Sequence, residues 1–213
     1  MSADQPVPGG DAAGLTTEDV VAAKAGWREQ MRAARRQVVA DQGEQGRAAH
    51  AARLAEHVLT LARELAGGGE LDWLVVTAYQ ELRTEPPVSA AVSALREAGA
   101  TVLLPITLER GRLDWHDAAD TEARPLGPTA LDRVNLVLAP ALAVDRTGRR
   151  LGKGGGYYDQ MLPALRGRHV PVVAVLHDGE VVDQLPALNH DVAVDAALTA
   201  ADGVRWLRDR APG

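Results

Sequence analysis

The first third of the chain carries its apolar residues at helical spacing. The pattern over residues 17–40 predicts a helix with Thr17 as its N-cap and acidic residues in its first turn, where carboxylates favour the positive helix end. Gly43 marks the end of this helix, and a second helical pattern covers residues 44–66 before a glycine stop at residues 67–69. We expect the two helices to form an antiparallel pair.

Beyond residue 70 the pattern changes to short apolar runs rich in β-branched residues, which are typical of buried strands. These runs predict strands at residues 73–79, 101–106, 134–139, 170–176 and 192–198. Helical patterns stand between or after them, at residues 87–98, 157–165 and 200–210. The residues around Arg110 and Gly111 favour a hairpin between two extended segments.

This order of elements predicts an α/β fold. Strands that alternate with helices form mainly parallel sheets, and continuous apolar runs indicate strands buried on both faces. We therefore expect a single domain over residues 17–213, with a mainly parallel sheet covered by helices on both faces and an N-terminal helical pair. Residues 1–16 contain proline and glycine but no apolar run, so we expect a disordered tail there.

Composition narrows the compartment and the class of partner. No apolar stretch approaches the roughly 20 residues of a membrane span, and the lack of cysteine excludes disulfides, thiolate nucleophiles and Cys-ligated metals. We expect a cytoplasmic protein with no membrane partner. A net charge of -6 and an aromatic content of 3% argue against nucleic-acid binding, which needs basic and stacking surfaces. Small molecules are the expected partners, and a monomer is the expected state.

A glycine-rich segment with interleaved cations follows the third predicted strand. The glycines between Gly148 and Gly156 remove side chains where a backbone must approach a ligand closely. Arg149, Arg150 and Lys153 add positive charge, and the helix that follows offers its N-terminal N–H groups to the same anion. This combination predicts a polyphosphate site, although a glycine-rich turn can also be only a tight connection.

The spacing of this segment fits neither of two common nucleotide-binding patterns. Lys153 is followed by Gly154 instead of Ser or Thr, which excludes a Walker loop. Tyr157 stands where a dinucleotide-binding loop has its third glycine. Asp159 either binds Mg2+ beside the phosphates or serves as a carboxylate at the helix N-terminus.

Several stretches together resemble the 5-formyltetrahydrofolate cyclo-ligase (5,10-methenyltetrahydrofolate synthetase) family. They are residues 140–145 (PALAVD) and 150–159 (RLGKGGGYYD), the Lys24 and Arg28 pair, similar to the family's Lys-x-x-x-Arg, and residues 194–195, similar to its C-terminal Val-Asp. The resemblance covers most of the chain beyond the expected tail.

The resemblance implies an enzyme, an ATP-dependent ligase that forms a C–N bond. Its reaction would convert 5-formyltetrahydrofolate to 5,10-methenyltetrahydrofolate with release of ADP and phosphate, through phosphorylation of the formyl oxygen and ring closure by N10. No protein nucleophile is needed, which agrees with the lack of cysteine and of any obvious Ser-His-Asp arrangement. ATP and Mg2+ are the cofactors that the resemblance implies.

The same resemblance assigns roles to individual residues. ATP would be bound by Lys24, Arg28, Arg150, Leu151, Gly152, Lys153, Gly154, Gly155, Gly156, Tyr157 and Tyr158. The folate would be bordered by Lys153, Gly154, Gly155, Gly156 and Tyr157, of which Lys153 and Tyr157 would be catalytic. Mg2+ would be held by Asp159 and Asp195. We interpret the arginines that continue the basic face of the first helix as a solvated stripe: Arg32, Arg35 and Arg36.

The chain departs from the family pattern at the folate end. The family usually has Glu-x-Asp/Glu-Thr after the first strand, where a carboxylate contacts the substrate, but here Arg83 stands at that acidic position. Either Glu81 or Glu85 takes over the contact, or the folate pocket differs. An Ile/Val-x-Glu-Pro element that often precedes the third strand is also missing at residues 122–128. Trp115 is either a wall of the folate pocket or a core residue.

Two other functions remain open from the sequence. A nucleotide-binding or regulatory protein on the same scaffold, with an altered substrate pocket, is suggested by Arg83. A different enzyme of related architecture, such as a sugar-phosphate isomerase or a CoA-transferase-like protein, would use the loop for a single phosphate. The full glycine string together with a separate Lys-x-x-x-Arg helix favours the ligase, because a one-phosphate site would not need both.

Overall fold

The computed structural model describes residues 16–109, 112–165, 167–188 and 191–207. Its helices are α1 (Thr17–Leu65), α2 (Ser89–Glu97) and α3 (Tyr157–Met161). Its strands are β1 (Val75–Thr77), β2 (Thr101–Thr107), β3 (Leu113–Asp117), β4 (Leu136–Pro140), β5 (Ala143–Asp145), β6 (Arg150–Leu151), β7 (Val172–Val175), β8 (Val181–Val182), β9 (Ala196–Thr199) and β10 (Gly203–Trp206). Short 3-10 helices precede β4 and follow α3, at Pro128–Arg133 and Leu162–Leu165.

Seven strands form the central sheet in the order β10-β9-β7-β4-β1-β2-β3. The inner strands β9, β7, β4, β1 and β2 are parallel, and β10 and β3 join the two edges antiparallel to their neighbours. The predicted α/β class with a mainly parallel sheet is confirmed. The hairpin residues Arg110 and Gly111 lie outside the described residues, but the antiparallel pairing of β2 with β3 on either side of them is present.

The apolar runs of the inner strands are continuous because both faces of the sheet are buried. Along β4, Leu136 and Leu138 pack into a cluster with α2 and the second half of α1, whereas Val137 and Ala139 pack into a cluster with α3. All four residues are fully buried. Because alternate residues of a strand point to opposite faces, one short apolar run joins two hydrophobic cores, and helices cover both faces as predicted.

Helix α1 contains both of the expected N-terminal helices. Its N-cap is Thr16, which therefore belongs to the helix and not to the tail; residues 1–15 lie outside the described residues. The side chains of Thr16 and Asp19 each accept a hydrogen bond from the other residue's backbone N–H, a capping box that replaces the predicted cap at Thr17.

The two halves of α1 meet at a bend at Gly43, where the backbone leaves the helical conformation (φ 60°, ψ -170°). A single residue is too short a connection for an antiparallel helical hairpin, which needs about two to five residues. The helical pair is confirmed, and its two helices join directly at Gly43 without a separate loop. Met31 in the first half packs on Leu142 and Leu151, whereas Leu54 in the second half packs on the central sheet.

Two parts of the fold differ from the sequence prediction. The prediction of a closing helix at residues 200–210 is wrong, because Gly203–Trp206 is an edge strand paired with β9. Residues 208–210 lie outside the described residues. A small second sheet, in the order β6-β5-β8, was not predicted, since strands of two or three residues are too short to show a period. Among the described residues no helix is long and apolar enough to cross a membrane.

Candidate active site

A cavity of about 440 Å3 lies at the carboxyl ends of the central strands. Tyr79 follows β1, Thr107 ends β2 and Pro140 ends β4, and all three line the cavity. The remaining walls come from the first half of α1, the segment that carries Glu85, the glycine loop and the start of α3. Ligands of open parallel sheets bind at this end of the strands, so the topology marks the cavity as the candidate site.

The glycine loop forms one wall of the cavity with its backbone. Arg150 and Leu151 form β6, and the chain turns through residues 152–156 before α3 begins. Gly154 and Gly156 have φ angles of 105° and 69°, a conformation that side chains rarely permit. Every residue of the turn lines the cavity.

Gly148 and Arg149, which begin the glycine-rich segment in the sequence, lie away from the cavity. They belong to the turn between β5 and β6, and neither is among the residues that line the cavity. The carboxylate of Asp145 shapes this turn, because its Oδ1 accepts hydrogen bonds from the N–H groups of Thr147 (2.8 Å) and Arg149 (3.0 Å). The part of the glycine-rich segment that lines the cavity therefore begins at Arg150.

Helix α1 holds the glycine loop through two arginines that lie one turn apart. Arg28 donates from Nε to the carbonyl of Gly152 (2.9 Å), and Arg32 donates from Nη2 to the carbonyl of Lys153 (3.0 Å). Arg28 also lines the cavity. Arg32 was expected in a solvated stripe; it is exposed, but it also binds the loop.

Arg35, unlike Arg32, is buried. Its side chain is 2% exposed and forms a double ion pair with Glu180, with Nε–Oε1 and Nη2–Oε2 distances of 2.6 and 2.7 Å. Burial raises the pKa of Glu180, and the neighbouring Arg35 opposes that shift. Of the three arginines assigned to the stripe, Arg36 keeps that interpretation, since it is exposed.

Both lysines of the chain line the cavity. Lys24 forms an ion pair with Asp191, and Lys153 forms one with Glu85 at 2.5 Å. The Lys24 side chain is 8% exposed, whereas that of Lys153 is 40% exposed. The chain otherwise uses arginine for its cations, so the scarcity of lysine is a sequence signal for this site that is independent of any motif.

Arg150 and Asp159 form a third ion pair in the cavity wall. Arg150 Nη2 lies 2.7 Å from Asp159 Oδ1, and its guanidinium carbon lies 5.5 Å from the centre of the Tyr158 ring. Within the described part of the chain, Arg150 Nε and the Tyr158 hydroxyl are buried without a hydrogen-bond partner. Burial raises the pKa of Tyr158, so its hydroxyl stays protonated and can donate.

Glu85 is the acid that the segment after β1 brings to the cavity. Its carboxylate is buried, pairs with Lys153, and accepts a hydrogen bond at Oε2 from the N–H of Leu82 (2.8 Å). Glu81 is partly exposed and is not among the lining residues, and Arg83 is exposed. Of the two acids that the sequence left open, Glu85 is therefore the one that lines the cavity.

Asp195 does not line the cavity. It stands just before β9, and its Oδ2 accepts a hydrogen bond from the N–H of Val172, the first residue of β7 (2.8 Å). The cavity lies at the other end of the parallel strands, so the expected pairing of Asp159 with Asp195 is corrected: Asp191 lines the cavity with Asp159 instead. Across residues 16–109, 112–165, 167–188 and 191–207, no group of three or more acidic or histidine side chains could hold a metal by itself.

Tyr157 lies against the loop because residue 155 has no side chain. A Cβ at Gly155 would stand 2.6 Å from Cε2 of Tyr157, far inside van der Waals contact. The ring of Tyr157 lines the cavity from this position. Trp115, by contrast, is 2% exposed and packs in the hydrophobic cluster on the α3 face of the sheet, so it is a core residue.

Two buried histidines lie behind the segment that carries Glu85. The rings of His50, on α1, and His177, after β7, meet edge to face with their centroids 5.1 Å apart. His177 Nε2 lies 3.1 Å from the carbonyl of Thr84, and because a carbonyl only accepts, this nitrogen carries the hydrogen. Burial lowers the pKa of both histidines, so both rings are neutral near pH 7.

The protein is expected to lose stability as the pH falls below about 6.5. The unfolded chain protonates its histidines near their ordinary pKa of about 6.5. The folded chain holds the pKa of His50 and His177 lower, so acid favours the unfolded state from there down to the folded-state values. The raised pKa of Glu180 works in the opposite direction above its usual value of 4.5. Thermal unfolding midpoints should therefore fall by several degrees between about pH 7.5 and about pH 5.

Two variants test whether His50 and His177 cause this loss of stability in acid. The double variant His50→Gln/His177→Gln should lose less stability over the same pH range, because neutral glutamines do not titrate. His57→Gln, a change in another histidine of α1, should keep the wild-type loss. An equal loss in both variants would assign the sensitivity to other groups.

Comparison with known proteins points to one family. The sequence profile of the 5-formyltetrahydrofolate cyclo-ligase family matches residues 20–200. The 5-formyltetrahydrofolate cyclo-ligase of Mycolicibacterium smegmatis is 35% identical over 158 residues, which cover 66% of this chain and 81% of that relative. The 5-formyltetrahydrofolate cyclo-ligase of Escherichia coli is 28% identical over 59% of this chain and 75% of its own length.

Two solved structures share the fold. The 5,10-methenyltetrahydrofolate synthetase from Mycoplasma pneumoniae matches with a TM-score of 0.66 at 19% identity, over 83% of this chain and 98% of that one. The 5,10-methenyltetrahydrofolate synthetase from Aquifex aeolicus matches with a TM-score of 0.62 at 24% identity, over 87% of this chain and 93% of that one. At these identities the two structures support the architecture and not the role of any residue.

Proposed function

This chain belongs to the 5-formyltetrahydrofolate cyclo-ligase family, and on that premise we propose that it uses ATP to convert 5-formyltetrahydrofolate to 5,10-methenyltetrahydrofolate, with release of ADP and phosphate. The family resemblance and the enzyme class expected from the sequence are confirmed by the profile and the relatives. One observation carries the proposal of ATP use: a single cavity gathers both lysines, Arg28 and Arg150 around a glycine loop and places Glu85 among them.

The cationic part of the cavity suits a polyphosphate. Lys24, Arg28, Arg150 and Lys153 line it together, and the loop contributes backbone that no side chain covers. Three of these cations are paired with acids of the same cavity, so a ligand that brings its own negative charges would replace those acids as partners. A single phosphate would not need four cations drawn from α1, β6 and the loop, so this arrangement favours the triphosphate of ATP over a one-phosphate enzyme.

Asp159 would hold Mg2+ beside the phosphates. It lines the cavity, 32% of its side chain is exposed, and carboxylate and phosphate oxygens are the ligands that Mg2+ takes. When bound, the ion would neutralise charge on the phosphates. Asp195, which the resemblance also suggested, has its carboxylate engaged at the start of β7 and is not part of this proposal.

The folate would lie on the side of the cavity formed by Glu85, Tyr157 and the end of β2. Glu85 takes the place of the family carboxylate whose position Arg83 occupies, because Glu85 lines the cavity and Arg83 is exposed. In this proposal Glu85 supplies the carboxylate that the family has at the position of Arg83, so the exchange at Arg83 no longer points to a regulatory protein. Nothing in the cavity favours that alternative over the ligase.

The proposed chemistry has two steps. The formyl oxygen attacks the γ-phosphorus of ATP, the bond from that phosphorus to the β-phosphate oxygen breaks, and ADP leaves. N10 then attacks the formyl carbon with its lone pair, the bond from that carbon to the phosphate oxygen breaks, and phosphate leaves as N10 loses its proton. The chain contributes position and positive charge, which dominate phosphoryl transfer: Lys153 neutralises the transferring phosphoryl group, and Tyr157 holds the folate against the loop.

The deciding experiment mixes the purified protein with Mg-ATP and 5-formyltetrahydrofolate and follows the near-ultraviolet absorbance of the methenyl product. We expect product in proportion to enzyme, and none when ATP is omitted. Binding of ATP without product would contradict the proposal and would favour a nucleotide-binding protein on the same scaffold. The monomeric state, the cytoplasmic location and the lack of a nucleic-acid partner stay predictions.

A further inference from the structure

The segment that carries Glu85 is held by side chains from three other parts of the fold. Arg47, in the second half of α1, donates from Nη1 to the carbonyls of Arg83 (3.0 Å) and Glu85 (3.2 Å). His177, which follows β7, donates from Nε2 to the carbonyl of Thr84 (3.1 Å). The hydroxyl of Tyr79, which follows β1, donates to the carbonyl of Pro86 (3.2 Å). Four consecutive carbonyls, those of residues 83–86, thus have side-chain donors, and we call this set of contacts the carbonyl clamp.

The clamp fixes a turn whose geometry aims the Glu85 carboxylate. The N–H of Glu85 donates to the carbonyl of Leu82 (2.9 Å), and Glu85 Oε2 accepts from the N–H of Leu82 (2.8 Å). With the backbone and one carboxylate oxygen fixed in this way, the other oxygen, Oε1, lies against Lys153 in the cavity. Surface loops normally leave their carbonyls to water, so four side-chain donors in a row indicate a segment whose position has to be defined closely.

A buried ion pair supports the clamp from behind. The N–H of His177 donates to Glu180 Oε2 (2.8 Å), and that carboxylate is held by both the Nε and Nη2 atoms of Arg35. Arg35 reaches the pair from the first half of α1, and Arg47 reaches the turn from the second half. The bend at Gly43 lies between them, so the helix contacts the Glu85 segment directly through Arg47 and supports it indirectly, through Glu180 and His177, from Arg35.

We propose that Arg47 is a positioning residue for the folate site, which acts through Glu85 although it does not line the cavity. This inference rests on the proposed function, because it takes Glu85 as the acid that contacts the folate. Arg47 supplies two of the four clamp contacts from one guanidinium, and one of them is to the carbonyl of Glu85 itself. Without it, the turn keeps its donors at Thr84 and Pro86 but loses those on either side of Thr84, so Glu85 shifts while the segment stays attached. Errors of about 1 Å in a reacting group cost up to a hundredfold in rate.

The test compares Arg47→Met and Arg47→Lys with wild type in steady-state kinetics and in direct ATP binding. Arg47→Met should lower kcat/KM for 5-formyltetrahydrofolate by about ten- to thirtyfold, with the dissociation constant of ATP within about twofold of wild type. Arg47→Lys should recover part of the loss, because an ammonium group can donate to both carbonyls. Arg53→Met, a change in an exposed arginine of the same helix, is the matched control and should leave both quantities unchanged.

A double-mutant cycle separates positioning from a general contribution to folding. If Arg47 acts through Glu85, then Arg47→Met in a Glu85→Gln background should cost no more than about twofold, because the group that it positions is already lost. The same ten- to thirtyfold loss in both backgrounds, or a wild-type kcat/KM in Arg47→Met, would overturn the proposal. Failure of the wild-type protein to form the methenyl product would instead overturn the proposed function, so the two failures are told apart by the wild-type assay.

Discussion

Lys153→Met is expected to lower kcat/KM for the ligase reaction by about a thousandfold, equivalent to roughly 4 kcal/mol of transition-state stabilisation. Lys153 is the cation that stands between the glycine loop and Glu85, where the proposed phosphoryl transfer takes place. Methionine keeps most of the length and the apolar stem but removes the charge. Because methionine leaves the buried carboxylate of Glu85 without its cation, thermal unfolding should be measured beside the rate to separate the loss of charge from a loss of stability. Initial rates at varied ATP and saturating 5-formyltetrahydrofolate measure the effect, which we expect in both KM for ATP and kcat.

Two further variants show whether the loss is specific to this position. Lys153→Arg keeps the charge and should recover part of the activity. Arg149→Met removes an exposed cation from the turn before β6, outside the cavity, and should leave the rate unchanged. A wild-type kcat/KM in Lys153→Met would contradict the role of Lys153 in phosphoryl transfer.

Asp159→Asn is expected to lower turnover by about a hundredfold or more at a fixed Mg2+ concentration. It should also raise the Mg2+ concentration needed for half-maximal rate, because asparagine is a weaker ligand for this cation. A smaller effect on stability should accompany it. Arg150, whose side chain is 4% exposed, would lose its ionised partner, and we expect a cost of about 1–2 kcal/mol in the free energy of unfolding. Magnesium titration of the rate and thermal unfolding measure the two effects separately.

Asp195→Asn is the matched control for the metal assignment. Its carboxylate accepts a hydrogen bond from the N–H of Val172, and an asparagine oxygen can accept the same bond. We therefore expect a wild-type rate and a wild-type dependence on Mg2+. A weakened response to Mg2+ in Asp195→Asn, with a normal response in Asp159→Asn, would show that the metal lies elsewhere than proposed.

The central sheet was predictable because its strands are buried on both faces. Runs such as residues 136–139 and 170–176 are apolar without a break, and the structure places alternate residues of β4 in the two cores. The edge strand β10 and the small second sheet were not predictable in this way. Residues 200–210 carry a pattern that also fits a helix, and only pairing with β9 makes Gly203–Trp206 a strand. The strands β5, β6 and β8 have only two or three residues each and leave no local period, and β8 pairs with β5 from a distant part of the chain.

The residues of the site that belong to a sequence motif were predictable. The residues that only tertiary contacts bring to it were not. Lys24, Arg28 and residues 150–159 line the cavity, and all of them were named from the sequence. Arg32 and Arg35 were assigned to solvent because arginines at helical spacing have the same pattern whether their partner is water or another segment. The partner of Arg35 is Glu180, 145 residues further along the chain. Spacing alone also could not show that Asp191 lines the cavity and Asp195 does not.

The confinement of both lysines to the cavity has a practical consequence for work with this protein. The lysine ε-amino groups of this sequence are those of Lys24 and Lys153. Reagents that acylate amines would reach Lys153 before Lys24, because its side chain is the more exposed of the two. Amine-coupled dyes or sensor chips would therefore attach beside the glycine loop and obstruct it, and attachment through a terminal tag avoids this. The same chemistry makes acylation of Lys153, and protection from it by ATP, a direct probe of occupancy that needs no substitution in the chain.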